Sequence, residues 1–174
     1  RELYAEAGIS PSEIDYLEAH GTGTAVGDPI ETRALGVALG EGRVPETPLL
    51  IGSVKSNLGH LEAASGAAGL AKALACLEHR SVPPTIHLNA VNPNIRLEEW
   101  NLAVVTENTP LAADKPLVIG VNSFGFGGAN AHVILQGTAP AAPDTEPVPG
   151  LPVPLLLSTR SGDALRALAA DYAV

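Results

Sequence analysis

The chain is short of several things at once. It has one cysteine, no methionine, one Trp, three Tyr and two Phe among 174 residues. A lone thiol, Cys76, excludes an internal disulfide framework and cannot by itself build a thiolate-rich zinc centre. No run approaches ~18 consecutive apolar residues, which excludes a helical membrane span. Basic residues are scarce: ten Lys and Arg stand against nineteen Asp and Glu, for a formal charge of −9, and argue against a partner with a phosphate backbone. The opening residues, Arg1 to Glu6, lack the charged-then-apolar pattern of a signal peptide. With no initiator Met and a start inside a helical pattern, the expectation is a fragment of a longer polypeptide. What is left is a soluble, cytoplasmic, Ala- and Gly-rich globular protein of a length suited to one domain or one domain plus an appendage.

Composition changes near residue 137. Up to Gln136 apolar runs alternate with Gly-rich loops, whereas residues 137–154 hold Pro140, Pro143, Pro147, Pro149, Pro152 and Pro154 and read as a semi-rigid linker. Leu155 to Leu157 is a short strand candidate. Ser161 to Ala173 reads as a helix capped by Ser161, with Leu165, Leu168, Ala169 and Tyr172 on one face. The expected boundaries are therefore 1–136, 137–154 and 155–174.

The first segment alternates strands and helices. Leu3 to Ala7 ends a helix at Gly8, and Ser10-Pro11-Ser12-Glu13 carries the signature of a capped helical turn. Strands are expected over Ile14–Ala19, Leu49–Val54, Asn101–Thr106, Leu117–Asn122 and Ala131–Gln136. Helices are expected from Asp28-Pro29 onward, with Ile30, Ala34, Leu35 and Ala38 inward, and over Leu61–Glu78. Strand–helix alternation closing in a hairpin predicts a layered α/β or α/β/α domain.

Three loops at strand ends hold the candidate chemistry: Glu18 to Thr24 with Gly27-Asp28-Pro29, Gly52 to His60, and Asn122 to Asn130. The spacing of Gly21, Gly23 and Gly27 raises a dinucleotide-binding turn, yet it is one residue too long and Asp28 would oppose a pyrophosphate. A zinc site using His20 and His60 with Asp28 or Glu62 lacks a familiar ligand spacing. A third possibility is that His20, His60 and Lys55 converge on one developing negative charge, with backbone N–H groups around Phe124 as oxyanion donors. A satisfied structural histidine and a plain hairpin turn remain the bland alternatives. His79 suits a helix C-terminus, His87 a Pro-rich loop, His132 a strand, and Cys76 the buried side of a helix.

Taken together, Glu18-Ala-His-Gly-Thr-Gly-Thr24 with Gly27-Asp-Pro-Ile-Glu31, Val54-Lys-Ser-Asn-Leu-Gly-His60 and Asn122-Ser-Phe-Gly-Phe-Gly-Gly-Ala-Asn130 resemble, in order, the two histidine motifs and the glycine-rich turn of β-ketoacyl synthases, particularly those of modular type I polyketide synthases. The resemblance covers residues 1 to about 136, and the Pro-rich stretch with Leu155 to Ser161 resembles the linker toward an acyltransferase domain. It implies the C-terminal half of a thiolase-like, α-β-α-β-α layered fold that dimerises. It also implies decarboxylative condensation of an acyl-cysteine with malonyl- or methylmalonyl-acyl carrier protein. No cofactor is implied in this domain, the substrates riding on the carrier's phosphopantetheine. By resemblance, His20 and His60 assist decarboxylation and hold enolate and oxyanion charge, and Lys55 positions or polarises His60. Glu62 is implied to join the same network, and Phe124 to supply an oxyanion-hole N–H and a ring gating the acyl pocket.

One departure outweighs the matches. The family's nucleophile lies in a Cys-Ser-Ser-type motif upstream of the first histidine motif, and this chain has no such motif. Cys76, in an Ala-Cys-Leu-Glu context after the second histidine motif, does not replace it. The expected partners are thus the N-terminal half of the ketosynthase, a carrier protein and a neighbouring acyltransferase domain; neither nucleic acid nor membrane is expected. The isolated chain is expected to be inactive, and a non-catalytic scaffold or docking piece is the alternative. Ile51, Val54, Leu70, Leu74, Ile119 and Val121 are expected to aim at a core, and a half domain built on them to leave a wide apolar face open to association.

Overall fold

A computed structural model describes residues 1–138, 157 and 159–172. The chain divides into two units, Arg1–Pro140 and Ala141–Val174. In the first, the order of elements is α1 (Glu2–Glu6), a 3₁₀ turn (Pro11–Glu13), β1 (Tyr16–Glu18), α2 (Gly27–Leu35) running into a π-helical turn (Gly36–Gly40), β2 (Leu49–Gly52) and α3 (Lys55–Leu58). A 3₁₀ turn (Glu62–Ala64) then leads into α4 (Ser65–His79), followed by β3 (Ser81–Val82), β4 (Leu102–Val104), β5 (Thr109–Pro110), β6 (Val118–Phe124) and β7 (Asn130–Gln136).

Five strands form one sheet in the order β4-β2-β1-β6-β7. β4, β2, β1 and β6 run parallel, and β7 returns antiparallel to β6. Parallel strands need covering on both faces, so they read as near-continuous apolar runs. Successive side chains on β1 therefore feed different cores. Leu17 and Ala19 pack with Tyr4, Leu35, Leu39, Leu49, Ile51 and Val118 beneath α1 and α2. Tyr16 packs with Ala73, Cys76, Val82, Ile119 and Val121 beneath α4. Each fully buried Leu or Ile contributes roughly 1.5–3 kcal/mol of transfer free energy. The result is three layers, α/β/α.

Local signals behave as their chemistry dictates. The Ser10 hydroxyl accepts the Ser12 N–H while the Glu13 carboxylate accepts the Ser10 N–H at 2.7 Å, closing the expected capping box. Gly8 ends α1 with φ +68°. α4 approaches the sheet closely because Gly69 lacks a Cβ, which would stand 3.3 Å from both Glu18 Cγ and Val121 Cγ1.

Two expectations change. In α2 the inward face is Glu31, Thr32 and Leu35, while Ile30 and Ala34 are exposed, because the Glu31 carboxylate finds three donors inside and the Thr32 hydroxyl donates to the Asp28 carbonyl of its own helix. Of the six residues expected to aim at a core, Ile51, Val54, Ile119 and Val121 are buried within the chain as expected, whereas Leu70 and Leu74, the latter 50% exposed, remain uncovered on α4. In the second unit α5 (Gly162–Asp171) starts from Ser161, whose hydroxyl accepts the Ala164 N–H. Residues 139–154 of the expected linker, and Leu155 and Leu156 of the strand candidate, lie outside the described residues; Leu157 itself is in neither helix nor strand. Gly137 still belongs to the hairpin, donating to the Leu117 carbonyl at 2.8 Å. Among the described residues no helix is long and apolar enough to cross a membrane.

Candidate active site

The carboxyl ends of β1, β2 and β6 lie side by side, and the three Gly-rich loops leave from them. Catalytic groups on loops held by a rigid sheet are a common arrangement. Here the loops bring His20, His60 and Phe124 together. The imidazoles of His20 and His60 meet edge to face, centroids 5.6 Å apart with an interplanar angle of 85°, and the Phe124 ring stands 5.4 Å from His20.

The first loop is pinned by α2. The Glu31 carboxylate accepts the His20 N–H at 2.8 Å and the Gly21 N–H at 2.9 Å, and also the Asn122 side-chain amide at 2.8 Å. Asn122 Oδ1 lies 2.6 Å from His132 Nδ1, and His132 Nε2 lies 2.8 Å from the Tyr4 hydroxyl. An amide oxygen only accepts, so His132 Nδ1 donates to it and Nε2 takes the Tyr4 proton. Gly21, at φ +47°, has no room for a side chain: a Cβ there would sit 2.7 Å from Ser53 Cβ. Asp28 folds back to accept the Gly23 N–H at 3.1 Å. Its carboxylate therefore braces the loop, at the helix start where a dinucleotide phosphate would sit. Among the described residues no three His, Cys, Asp or Glu side chains are grouped to hold a metal ion.

Both imidazoles show the same polarity. His20 Nδ1 accepts the Phe124 N–H at a long 3.4 Å, and His60 Nδ1 accepts the Glu62 N–H at 3.0 Å. In a neutral ring the remaining nitrogen then carries the hydrogen, so each presents an Nε2–H donor. Burial, then the Lys55 charge, hold the His20 imidazolium below its ordinary value, with Glu31 opposing. Lys55, half-buried on α3, is also lowered by burial, while the Glu18 and Glu31 carboxylates raise it. Among the described residues Lys55 forms no ion pair. Two preorganised N–H donors and one cation suit a site where negative charge develops.

His20, His60 and Phe124 thus come together; Lys55 acts on His20 through its charge, and among the described residues no hydrogen bond joins it to His60. Two refinements follow. The backbone N–H of Glu62 reaches the site, not its carboxylate, which among the described residues takes no hydrogen bond. The Phe124 N–H is engaged by His20 here. Glu31, Glu18 and the Asn122–His132–Tyr4 chain escaped sequence reasoning. The available signal was an acidic residue closing an apolar strand run at Glu18 and another on the inner side of α2 at Glu31. Cys76 is 1% exposed in α4, and burial pushes its thiol up to about 11. It is far from reactive. A cleft of about 650 Å³ opens past Gly21, with Thr22, Thr24, Lys55, Ser56, Thr85 and Asn92 on its wall, and neither the His20 nor the His60 imidazole lines it.

Residues 1–89 match the family described as beta-ketoacyl synthase, C-terminal domain, and residues 92–174 match the ketoacyl-synthetase C-terminal extension. A phenolphthiocerol/phthiocerol polyketide synthase of Mycobacterium tuberculosis is 50% identical over 151 residues, 86% of this chain and 8% of that protein. An erythronolide synthase of Saccharopolyspora erythraea is 46% identical over 178 residues, 99% of this chain and 6% of that protein. Among solved structures, an oxazolomycin ketosynthase domain from Streptomyces albus aligns with a TM-score of 0.74 at 38% identity, covering 82% of this chain and 25% of that one. The ketosynthase from module 6 of the bacillaene synthase of Bacillus subtilis aligns with a TM-score of 0.69 at 42% identity, covering 77% and 25%. This chain therefore spans under a tenth of these synthases and a quarter of these ketosynthase chains.

Proposed function

This chain belongs to the β-ketoacyl synthases, corresponding to the C-terminal half of their thiolase-like fold, and on that premise we propose that it supplies the decarboxylation and oxyanion machinery of a polyketide chain-extending ketosynthase. The family's members are condensing enzymes. The observation that carries the proposal is the His20–His60 pair: two rings 5.6 Å apart, each with Nδ1 satisfied by a backbone N–H and, among the described residues, no acceptor taking its Nε2–H.

In the proposed reaction a cysteine from the N-terminal half holds the growing chain as a thioester. Malonyl or methylmalonyl carrier protein brings the extender on its phosphopantetheine arm, and no further cofactor takes part. The C–C bond to the extender carboxylate breaks, CO₂ leaves, and the electron pair enters the thioester as an enolate. Donors from His20 and His60 hold the enolate oxygen, with Lys55 adding positive potential nearby. The enolate carbon attacks the acyl-thioester carbonyl, and collapse of the tetrahedral oxyanion expels the cysteine thiolate. The Phe124 N–H would serve that oxyanion once released from His20, and the Phe124 ring would screen the acyl pocket. The proposed partners are the N-terminal half, the carrier protein, a neighbouring acyltransferase domain and a second copy in a homodimer.

The test uses the ketosynthase reconstituted with its N-terminal half. His60→Ala should slow malonyl-carrier decarboxylation and condensation about 10²–10³-fold, the usual size for a lost oxyanion donor, and change acyl loading within about threefold. Equal losses in both steps would refute the assigned role. A second reading, a non-catalytic docking piece, is favoured by one observation: the thiol of this chain is buried away from the site. Thiol-directed labelling of the reconstituted protein separates the two. A labelled upstream cysteine supports the enzyme; no labelled cysteine with retained carrier binding supports the docking piece.

A further inference from the structure

Behind the second histidine loop lies an ion pair that the proposed chemistry does not use. Glu18, at the end of β1, is 1% exposed, and the Lys72 side chain on α4 is 7% exposed. Lys72 Nζ stands 2.9 Å from Glu18 Oε2 and donates to the Tyr16 hydroxyl at 2.9 Å. That hydroxyl donates to the same Oε2 at 2.7 Å. The other oxygen, Oε1, accepts the backbone N–H of Val54. Val54 is the residue on which α3 hangs: its carbonyl accepts the N–H groups of both Asn57 and Leu58 at 2.9 Å. The turn it anchors carries Lys55 and delivers the chain through Gly59, at φ +80°, to His60.

Burying an ion pair is a poor way to gain stability, since an apolar pair of the same volume commonly does as well or better. Its presence at a strand end, with one oxygen reserved for Val54, calls for a positional role. We propose that Glu18, held by Lys72 and Tyr16, is a positioning residue for the Lys55–His60 turn, fixing Val54 so that Lys55 and His60 meet the extender unit while acyl loading proceeds without it. The activity readout rests on the functional reading above. The backbone readout does not.

The experiment compares two variants of the reconstituted ketosynthase in a common Tyr16→Phe, Lys72→Met background, which removes the buried cation and the hydroxyl. Adding Glu18→Gln keeps an oxygen for Val54; adding Glu18→Leu removes it. The Leu variant should decarboxylate malonyl-carrier about ten- to a hundredfold more slowly than the Gln variant, the scale of a small misplacement of catalytic groups. Acyl loading in the two should agree within about twofold. Equal decarboxylation rates, or parallel losses of loading and decarboxylation, would overturn the proposal. Should the Leu variant not fold, amide exchange in the unmodified protein decides. Val54 N–H should be protected to within about tenfold of the β2 amides, and exchange at the rate of a free loop amide would overturn the proposal. If His60→Ala leaves decarboxylation intact, the functional reading fails while the exchange result still stands.

Discussion

The two histidine loops reach the same point by different means. In the first, the carboxylate of Glu31 grips the N–H of His20 itself and of its neighbour Gly21, and the grip extends through Asn122 and His132 to Tyr4. In the second, Glu18 grips Val54, six residues before His60. His60 then stands exposed between Leu58 and Leu61, which are 61% and 45% exposed. Leu70 and Leu74 on α4 are uncovered as well. One imidazole is thus set by its own fold, while the other borders apolar surface available to a partner. An incomplete site of this kind keeps its rigid half within the chain and shares the other half with whatever covers it.

Glu31 gives the most forceful test of that contrast. Glu31→Leu strands three donors, each costing about 1–3 kcal/mol when buried without a partner, so denaturant unfolding of the reconstituted ketosynthase should show a loss of about 4 kcal/mol. The exposed acid beside His60, substituted as Glu62→Leu, should cost less than ~0.5 kcal/mol, as exposed substitutions do. Comparable losses would erase the distinction between the loops.

Acid pH tests the same contrast less severely. His20 and His132 are both lowered by burial. Between their folded values and the ordinary one near 6.5, the unfolded chain therefore binds protons that the folded chain does not. Stability should be full above about pH 6.5 and fall as pH drops through the folded values. His132→Gln should flatten part of that slope in urea titrations between pH 5 and 7. An unchanged slope would detach His132 from the first loop.

Cys76 should matter least. Native protein should resist thiol reagents at Cys76, and Cys76→Ala should cost about 1 kcal/mol with acyl loading and condensation unaltered. Rapid labelling of Cys76 in the folded state would contradict its burial.

The five strands of the main sheet and the two main helices are legible because apolar period acts over a few residues, as do the Ser caps and Gly stops of other elements. Ser10–Glu13 and Ser161 formed the expected caps for that reason. The site's supports were not legible. Glu18 meets Lys72, and Glu31 meets Asn122, across distances in sequence of 54 and 91 residues, and no local pattern announces such a pairing. The inward face of α2 eludes the apolar period on the same account: Ile30 reads as core, yet the inside is taken by a carboxylate with three donors to satisfy. His132 looked like an ordinary strand residue because its partner Tyr4 lies 128 residues earlier.

The strand order carries a consequence for assembly. β1 is central, yet one of its two neighbours is β6, and the Phe124 N–H that touches His20 is 104 residues further along the chain. Pairings so distant must close a large loop before any contact repays it, which makes such topologies slow to form. During synthesis His20 leaves the ribosome well before the strand that completes its surroundings. Until β6 arrives, β1 has an unsatisfied edge flanked by Leu17 and Tyr16. The pocket for the chemistry is therefore among the last features to form, and the interval before it closes is when this chain is most exposed to wrong pairing.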